Sequence, residues 1–329
     1  MNIDAIAGEF GRKLLYSKPL RAVNLAQTDR GLVIIKETAR EPDKILYIHG
    51  LKEYLYENGF TRLDRYLPSK YQLPFAIYED RIFVMEEYIG GRECTFINPY
   101  DRQEIVKALA RLHNAGKGYS PATGAAKRNN IGKWGKSYRK KIDELIEFKE
   151  LAGNKKKKSE FDRLFLKNVD FYIEMCYRGF DTLMGSDYEQ ICKKAKKDNV
   201  ICHHDYTYHN LIIGYEGEVN VIDFDYSCHE LPVYDLAALI QKILKRYSYD
   251  SDMALNIIED YSNIAPLNKG DLVLMLSLFE FPQKFWRIAE RYYRGKNGWE
   301  EKIFLSKYND IVNMKEFVFD FVEDFRRYI

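Results

Sequence analysis

The first 90 residues alternate between apolar and polar positions in a way that predicts strands around one helix. The chain turns at the DRG sequence inside the alternating stretch PLRAVNLAQTDRGLVIIKE, which is typical of an antiparallel hairpin, and Lys36 falls at the end of its second strand. Pro42 and the pair Asn58-Gly59 mark the start and stop of a helix. Two further strand candidates, LPFAIYED and RIFVMEEYI, follow that helix. The apolar residues of the helix share one face, which we expect to pack on the sheet: Ile45, Ile48, Leu51 and Leu55.

After Gly90-Gly91 the periodicity becomes mainly helical. The stretch DRQEIVKALARLHNAG places Ile105, Leu109 and Leu112 on one stripe, as an amphipathic helix does. Near Asn199 the pattern is interrupted by two short β-like segments, VICHHD and LIIGYEGEVNVIDFD. We therefore predict an α+β chain with an antiparallel β-rich lobe over residues 1–90 and a larger, mainly helical lobe over residues 91–329.

Composition narrows the class of protein without naming a partner. The 329 residues carry 51 Lys and Arg against 49 Asp and Glu, so no global positive field favours nucleic acid. No apolar run approaches the length of about 18 residues typical of a membrane helix, and the first residues lack the pattern of a secretory signal. The 5 cysteines have no CxxC spacing, which argues against a disulfide framework or a zinc site. We expect a cytoplasmic protein in a reducing compartment.

The candidate chemistry lies in residues 203–226, HHDYTYHNLIIGYEGEVNVIDFDY. Phosphoryl transfer needs a carboxylate beside the attacking hydroxyl, together with oxygen ligands for a Mg²⁺ ion that bridges phosphates. Asp205 is the candidate base, and Asn210 and Asp223 are the candidate metal ligands. Asp225 alternates with Asp223 and is a further candidate ligand.

A simpler interpretation of these polar residues exists. Asp and Asn are common in turns, and the spacing of Asp205 and Asn210 alone occurs by chance. The pattern becomes specific because a hydrophobic strand, a glycine turn and the sequence IDF follow it, and because Lys36 ends a strand far upstream. A phosphotransfer site is therefore the favoured interpretation.

These motifs resemble a known superfamily. The segments HHD…N (203–210), VIDFD (221–225) and VYDLA (233–237) are similar to those of the protein-kinase-like superfamily that includes aminoglycoside phosphotransferases and choline kinases. Within it, the chain resembles the CotS family of spore coat proteins. That likeness is carried by four segments: LKEYLYENGF (51–60), EEYIGGRE (86–93), ALARLHNAGKGY (108–119) and FPQKFWRIAERYYRGKNGW (281–299).

The resemblance implies ATP held between a small β-rich lobe and a larger helical lobe, with a hinge near residues 85–90. On it, Lys36 matches the strand lysine that holds the nucleotide phosphates, and Asp205 matches the catalytic base. Asn210 and Asp223 match the Mg²⁺ ligands, and Asp235 matches an acidic residue of structural role. The linker whose backbone binds adenine is matched by Met85, Glu86, Glu87 and Tyr88.

Three departures from the superfamily pattern bear on the site. No glycine-rich loop precedes Lys36, because glycine occurs in that hairpin only at position 31. The helix glutamate that should pair with Lys36 is not identified, since His49 falls near the expected place, with Glu53 and Glu57 on the same helix. His204 stands where small-molecule kinases of this group often have glycine.

Three functions follow from these observations. The first is an ATP- and Mg²⁺-dependent phosphotransferase acting on a hydroxyl of a small molecule. The second is a structural spore coat protein in sporulation that uses the kinase-like fold for assembly with other coat proteins and has little or no catalysis. A protein kinase is the weaker third, because no A-P-E-like segment follows Asp223. The resemblance also makes the coat of a spore-forming bacterium a candidate location, and neither a nucleic acid nor a membrane is an expected partner.

Overall fold

The computed structural model describes residues 2–295 and 298–329. It divides into two compact units. The first comprises Met1–Asn129 and Asp198–Pro232, and the second comprises Asn130–Lys197 and Val233–Ile329. The lobe boundary and hinge near residue 90 stay a prediction.

A five-stranded antiparallel sheet dominates the first unit, in the order β1-β2-β3-β5-β4. Its strands are β1 (Leu14–Leu20), β2 (Val23–Thr28), β3 (Gly31–Thr38), β4 (Ala76–Tyr78) and β5 (Arg81–Glu87). A second antiparallel sheet has the order β6-β7-β8 and is formed by β6 (Arg92–Glu93), β7 (Leu211–Ile213) and β8 (Val219–Val221). The predicted antiparallel sheet is confirmed.

Strand alternation gives the larger sheet two different faces. On one face, Val33 and Ile35 of β3 pack with Met85 of β5 against the N-terminal helix, in a core whose members are almost fully buried. Because neighbouring side chains of a strand point to opposite faces, Ile34 and Lys36 lie on the other face. Lys36 pairs with Val84 across the strands there, and Ile34 lies between Leu25 and Glu86. This second face carries Lys36, the candidate ligand of the nucleotide phosphates.

The helices of the first unit are α1 (Ile3–Glu9), α2 (Pro42–Glu57) and α3 (Pro99–Gly116). Helix α2 begins at Pro42, whose fixed φ suits a first helical position, and its C-cap is Asn58. Gly59 follows with φ +88, a conformation that a glycine adopts without strain. The predicted apolar face of α2 is buried. Its main helix contact is with α3, and its packing on the sheet stays a prediction. The start and stop signals of this helix were therefore sufficient to place it.

The second unit is helical over the residues described. Its helices are α4 (Trp134–Asn154), α5 (Glu160–Met184), α6 (Tyr188–Lys197), α7 (Val233–Leu244), α8 (Ser251–Ser262), α9 (Lys269–Glu280), α10 (Gln283–Tyr293), α11 (Glu301–Val312) and α12 (Lys315–Tyr328). Helix α5 opens with a capping box between Ser159 and Asp162. Its aromatic stripe stacks on α10, with 3.8 Å between the ring centroids of Tyr172 and Phe285. Among the described helices, none combines the length and apolar character needed to cross a membrane.

Candidate active site

Asp205 and Asn210 lie together in the first unit. The 3₁₀ turn Tyr208–Asn210 places the Asn210 side chain so that its Nδ2 donates to the Asp205 backbone oxygen at 3.0 Å and to the Asp205 carboxylate at 3.2 Å. Asn210 is buried and Asp205 is half-buried. The structure therefore brings the candidate base next to one candidate metal ligand and fixes its carboxylate by hydrogen bonding.

His203 connects this loop to the segment before Asp223. Its ring is fully buried, and its Nδ1 accepts the Asp205 backbone N–H at 3.3 Å. Because Nδ1 is an acceptor there, Nε2 carries the proton and donates to the Ile222 carbonyl oxygen at 3.1 Å. His203 thus ties the backbone of Asp205 to the residue that precedes Asp223.

Asp223 follows strand β8 in a left-handed backbone conformation, with φ 62 and ψ 70. A non-glycine residue in this region costs of the order of 1–3 kcal/mol and persists where its surroundings hold it. Its backbone N–H donates to Asp64 Oδ2 at 3.0 Å. Its carboxylate lies 3.2 Å from Lys36 Nζ, and Asp225 lies 2.9 Å from the same nitrogen. Asp223 and Asp225 therefore both contact Lys36, which is far from them in the sequence.

The charges at this point stabilise one another. Partial burial would lower the pKa of Lys36, but the carboxylates of Asp225, Glu86 and Asp223 outweigh it and raise that pKa. Burial likewise would raise the pKa of Asp223, but the Lys36 ammonium outweighs it and holds that pKa below its usual value. Lys36 is therefore a cation and Asp223 an anion at neutral pH.

The carboxylates that pair with Lys36 do not come from helix α2. In the described part of the chain, the carboxylates within ion-pair distance of Lys36 belong to Asp223 and Asp225. Glu53 of α2 instead forms an ion pair with Arg65, and His49 lies 3.9 Å from Glu53. Helix α2 is connected to the site through another residue.

That residue is Lys52, which sequence reasoning did not identify. Its side chain is fully buried, and its Nζ lies 3.0 Å from Asp64 and 3.0 Å from Glu86. The ring of Tyr66 lies 4.0 Å from the same nitrogen. Burial would lower the pKa of Lys52, but the two carboxylates outweigh it and raise that pKa. The signal was present in the sequence, because Lys52 falls between Ile48 and Leu55 at helical spacing inside the apolar stripe.

The four residues predicted to bind adenine lie at the end of β5 and just after it. Met85 packs its side chain into the core on α1, and Glu86 directs its carboxylate to Lys52. The Met85 carbonyl accepts from the Leu67 N–H at 2.7 Å. The Glu87 N–H donates to the Arg65 carbonyl oxygen at 3.2 Å, and the Tyr88 N–H donates to the Leu32 carbonyl oxygen at 3.4 Å. The role of these residues toward a nucleotide stays a prediction.

A cation lies at the tip of the hairpin that β1 and β2 form before Lys36. Arg21, at the tip of the two-residue turn between β1 and β2, has φ 55. Its guanidinium lies 2.6 Å from Glu93 of β6 and 3.4 Å from the ring of His209. His209 in turn lies 3.0 Å from Glu93. The hairpin tip therefore reaches the turn that carries Asn210, and sequence reasoning missed this contact.

The residues present fit a divalent cation with oxygen ligands. Asp223 offers a carboxylate that is 37% exposed, and Asp225 lies beside it on the same lysine. Asn210 donates through its Nδ2, so its Oδ1 is the atom that it offers to a ligand. Carboxylate and amide oxygens are the ligands that Mg²⁺ and Ca²⁺ prefer in proteins. The donor set is therefore chemically suited to the predicted metal.

Comparison with solved structures defines the class of this fold. The chain is similar to an aminoglycoside phosphotransferase from Alicyclobacillus acidocaldarius, with a TM-score of 0.85, 17% identity, and 98% of this chain and 95% of that chain covered. It is also similar to a spectinomycin phosphotransferase solved with ADP and spectinomycin, with a TM-score of 0.68, 15% identity and 97% of each chain covered. The fold is therefore that of kinase-like phosphotransferases, and the predicted α+β, protein-kinase-like class is confirmed.

Comparison of sequences identifies the family. A family model described as "Spore coat putative kinase YutH" matches residues 15–325, so the chain belongs to that family. Spore coat protein S of Bacillus subtilis (strain 168) is 24% identical over 309 residues, which cover 91% of this chain and 85% of that protein. The spore coat family predicted from the sequence is confirmed.

Proposed function

We propose that this kinase-like spore coat family protein is an ATP- and Mg²⁺-dependent phosphotransferase that acts on a hydroxyl of a small molecule. The observation that carries the proposal is that two pairs of candidate residues are joined through the backbone. Lys36 contacts Asp223, and Asn210 contacts Asp205. Ile222, which precedes Asp223, joins the two pairs because its N–H donates to the Asn210 carbonyl oxygen at 2.9 Å. A chain used only for assembly has no physical need to keep a half-buried carboxylate, a paired lysine and a strained aspartate together.

Each residue has a distinct task in this proposal. Asp205 accepts the proton of the acceptor hydroxyl, while Asn210 and His203 hold it in place. Lys36 neutralises phosphate charge, exchanging its contact with Asp225 for the nucleotide. Asp223 and Asn210 would hold Mg²⁺, which when bound neutralises charge on the phosphates. Catalysis then rests on positioning and electrostatic stabilisation.

A small-molecule acceptor is favoured over a protein. The sequence lacks the A-P-E-like segment of protein kinases. The similar solved structures are small-molecule phosphotransferases, and one of them was solved with the small molecule spectinomycin. The name of spore coat protein S supports a location at the spore coat, with other coat proteins as partners.

Mg-ATP should raise the melting temperature of the protein. A ligand that binds only the folded state stabilises it by mass action, by about 2.7 kcal/mol at one hundred times its dissociation constant. Chelating the metal should remove most of the shift, and Asp223→Asn should remove the same part by deleting a charged ligand. Differential scanning fluorimetry with ATP, with and without Mg²⁺, measures this. A folded wild type without any shift at saturating ATP would favour the assembly role.

Arg21 is expected to bind nucleotide phosphate in place of a glycine-rich loop. Its guanidinium is 66% exposed and already lies beside the turn that carries Asn210. Arg21→Ala should raise the KM for ATP about tenfold, because it removes a charged hydrogen-bond donor that is suited to phosphate. Arg21→Lys should recover part of this. Arg62→Ala, which removes an exposed partner of Glu218, is the matched control. Equal KM values for Arg21→Ala and this control would contradict the assignment.

A further inference from the structure

One buried lysine joins three segments of the first unit. Lys52 belongs to α2, Asp64 to the segment after it, and Glu86 to β5, and the exposed fraction of each side chain is 10% or less. Removing ions from water costs several kcal/mol each, so an ion cluster like this is weak evidence for stability. The cluster is better explained by the residue that it holds in place, which is Asp223.

The second oxygen of Asp64 holds the backbone of Asp223. Asp64 uses Oδ1 toward Lys52 and Oδ2 toward the Asp223 N–H, at 3.0 Å in both cases. The segment before it runs beside β8, because the Val221 N–H donates to the Arg62 carbonyl oxygen at 2.9 Å. The hydrogen bond from Asp64 therefore acts at the residue whose left-handed backbone is costly and whose carboxylate faces Lys36.

We propose that Asp64, held by Lys52, is a positioning residue that fixes the direction of the Asp223 carboxylate for metal binding. Helix α2 then acts on the metal ligand through Lys52 and Asp64, and not on Lys36 through a glutamate. Glu86 completes the cluster as the second carboxylate of Lys52 and neither touches Asp223 nor is needed for its direction. This inference rests on the proposed function, since it assigns a role within the same site.

The direct test compares Asp64→Ala with Asp64→Asn. The measured quantity is the gain in ATP affinity on adding Mg²⁺, from isothermal titration with and without the metal. Asp64→Ala removes the acceptor of the Asp223 N–H, so nothing holds the strained backbone that directs the Asp223 carboxylate, and the gain should fall about tenfold or more. Asp64→Asn keeps an oxygen for that N–H and leaves Lys52 paired with Glu86, so it should keep most of the gain. Affinity for ATP without metal should change little in either variant.

A second pair of variants decides the matter if Asp64→Ala does not fold. The triple variants Lys52→Met/Asp64→Asn/Glu86→Gln and Lys52→Met/Asp64→Leu/Glu86→Gln contain no charge in the cluster, and such replacements of buried ions are often tolerated. They differ only in whether position 64 has an oxygen for the Asp223 N–H. The variant with Asn should keep the Mg²⁺-dependent gain, and the variant with Leu should lose it.

Asp101→Asn is the control for general destabilisation. Asp101 is fully buried and pairs with both Nη atoms of Arg92 at 2.7 and 2.8 Å, so its loss lowers stability elsewhere in the same unit. It should leave the Mg²⁺-dependent gain unchanged. The inference is overturned if folded variants without the acceptor keep the wild-type gain, or if Asp101→Asn loses as much. A wild type without any Mg²⁺-dependent gain overturns the proposed function itself, and this inference with it.

Discussion

Replacing Asp205 by asparagine should reduce phosphate transfer by roughly 10²–10⁴-fold, the usual contribution of a positioned general base. The substitution keeps the shape of the side chain and removes the group that accepts the proton. Nucleotide affinity should change little, because Lys36 and Asp223 lie on a separate part of the cluster. Release of ADP from ATP over a panel of hydroxyl-bearing acceptors, together with titration of Mg-ATP, measures both quantities.

Asp198→Asn is the matched control for this substitution. Asp198 forms a partly exposed ion pair with Lys117 at 3.3 Å, so the same chemical change there should leave turnover at the wild-type level. If Asp205→Asn and Asp198→Asn turn over ATP equally, the assignment of Asp205 is wrong. If the wild type transfers phosphate to no acceptor, assembly in the spore coat becomes the better account of the chain.

Replacing Lys52 by methionine should lower the free energy of unfolding by about 3–5 kcal/mol, since breaking a buried ion pair leaves an uncompensated charge. Here Glu86 would remain buried without the cation that lies 3.0 Å from it. Burial already raises the pKa of Asp64 to about 7, so Asp64 would take up a proton once the Lys52 cation is removed. Methionine fills a similar volume, so the loss of stability measures the missing ion pairs more than a change in packing. Urea unfolding followed by circular dichroism gives the free energy of each variant.

Lys117→Met is the control for the lysine substitution. Its ammonium is more than half exposed in its pair with Asp198, so its removal should change stability by less than about 1 kcal/mol. Neutralising the carboxylates as well, in Lys52→Met/Asp64→Asn/Glu86→Gln, should recover most of the stability lost in the single variant. A Lys52→Met protein as stable as Lys117→Met would show that the cluster does not bury its charges.

The sequence was sufficient for the parts of this protein that local patterns determine. The limits of α2 follow from Pro42 and Asn58-Gly59, and the hairpin of β2 and β3 follows from period-two alternation around the DRG turn. The segment VICHHD, which the pattern predicts to be β-like, forms only an isolated bridge at Cys202. The spacing of Asp205 and Asn210 also belongs to one local loop, whose 3₁₀ turn brings the two side chains into hydrogen bonding. Local chemistry of this kind can be predicted from a single chain.

The rest depends on contacts between distant segments, which a single sequence does not specify. Lys52 falls inside an apolar stripe of the sequence, but its partners at positions 64 and 86 become its neighbours only in the folded chain. The pairing of Arg21 with Glu93 likewise depends on where a hairpin tip ends. Glu86 is predicted from the sequence to bind adenine through its backbone, whereas the structure shows its side chain in an ion pair with Lys52.

The left-handed backbone at Asp223 restricts how this chain can change without losing its fold. Glycine adopts this conformation without strain, and asparagine and aspartate adopt it more readily than other side chains do. An alanine there would remove the carboxylate and add backbone strain, so it would lower both metal affinity and the stability of the fold. A descendant that gives up metal binding while keeping its shape therefore has few routes open at this position. Asparagine or glycine in place of Asp223 would therefore identify a relative that has kept the fold for a purely structural role.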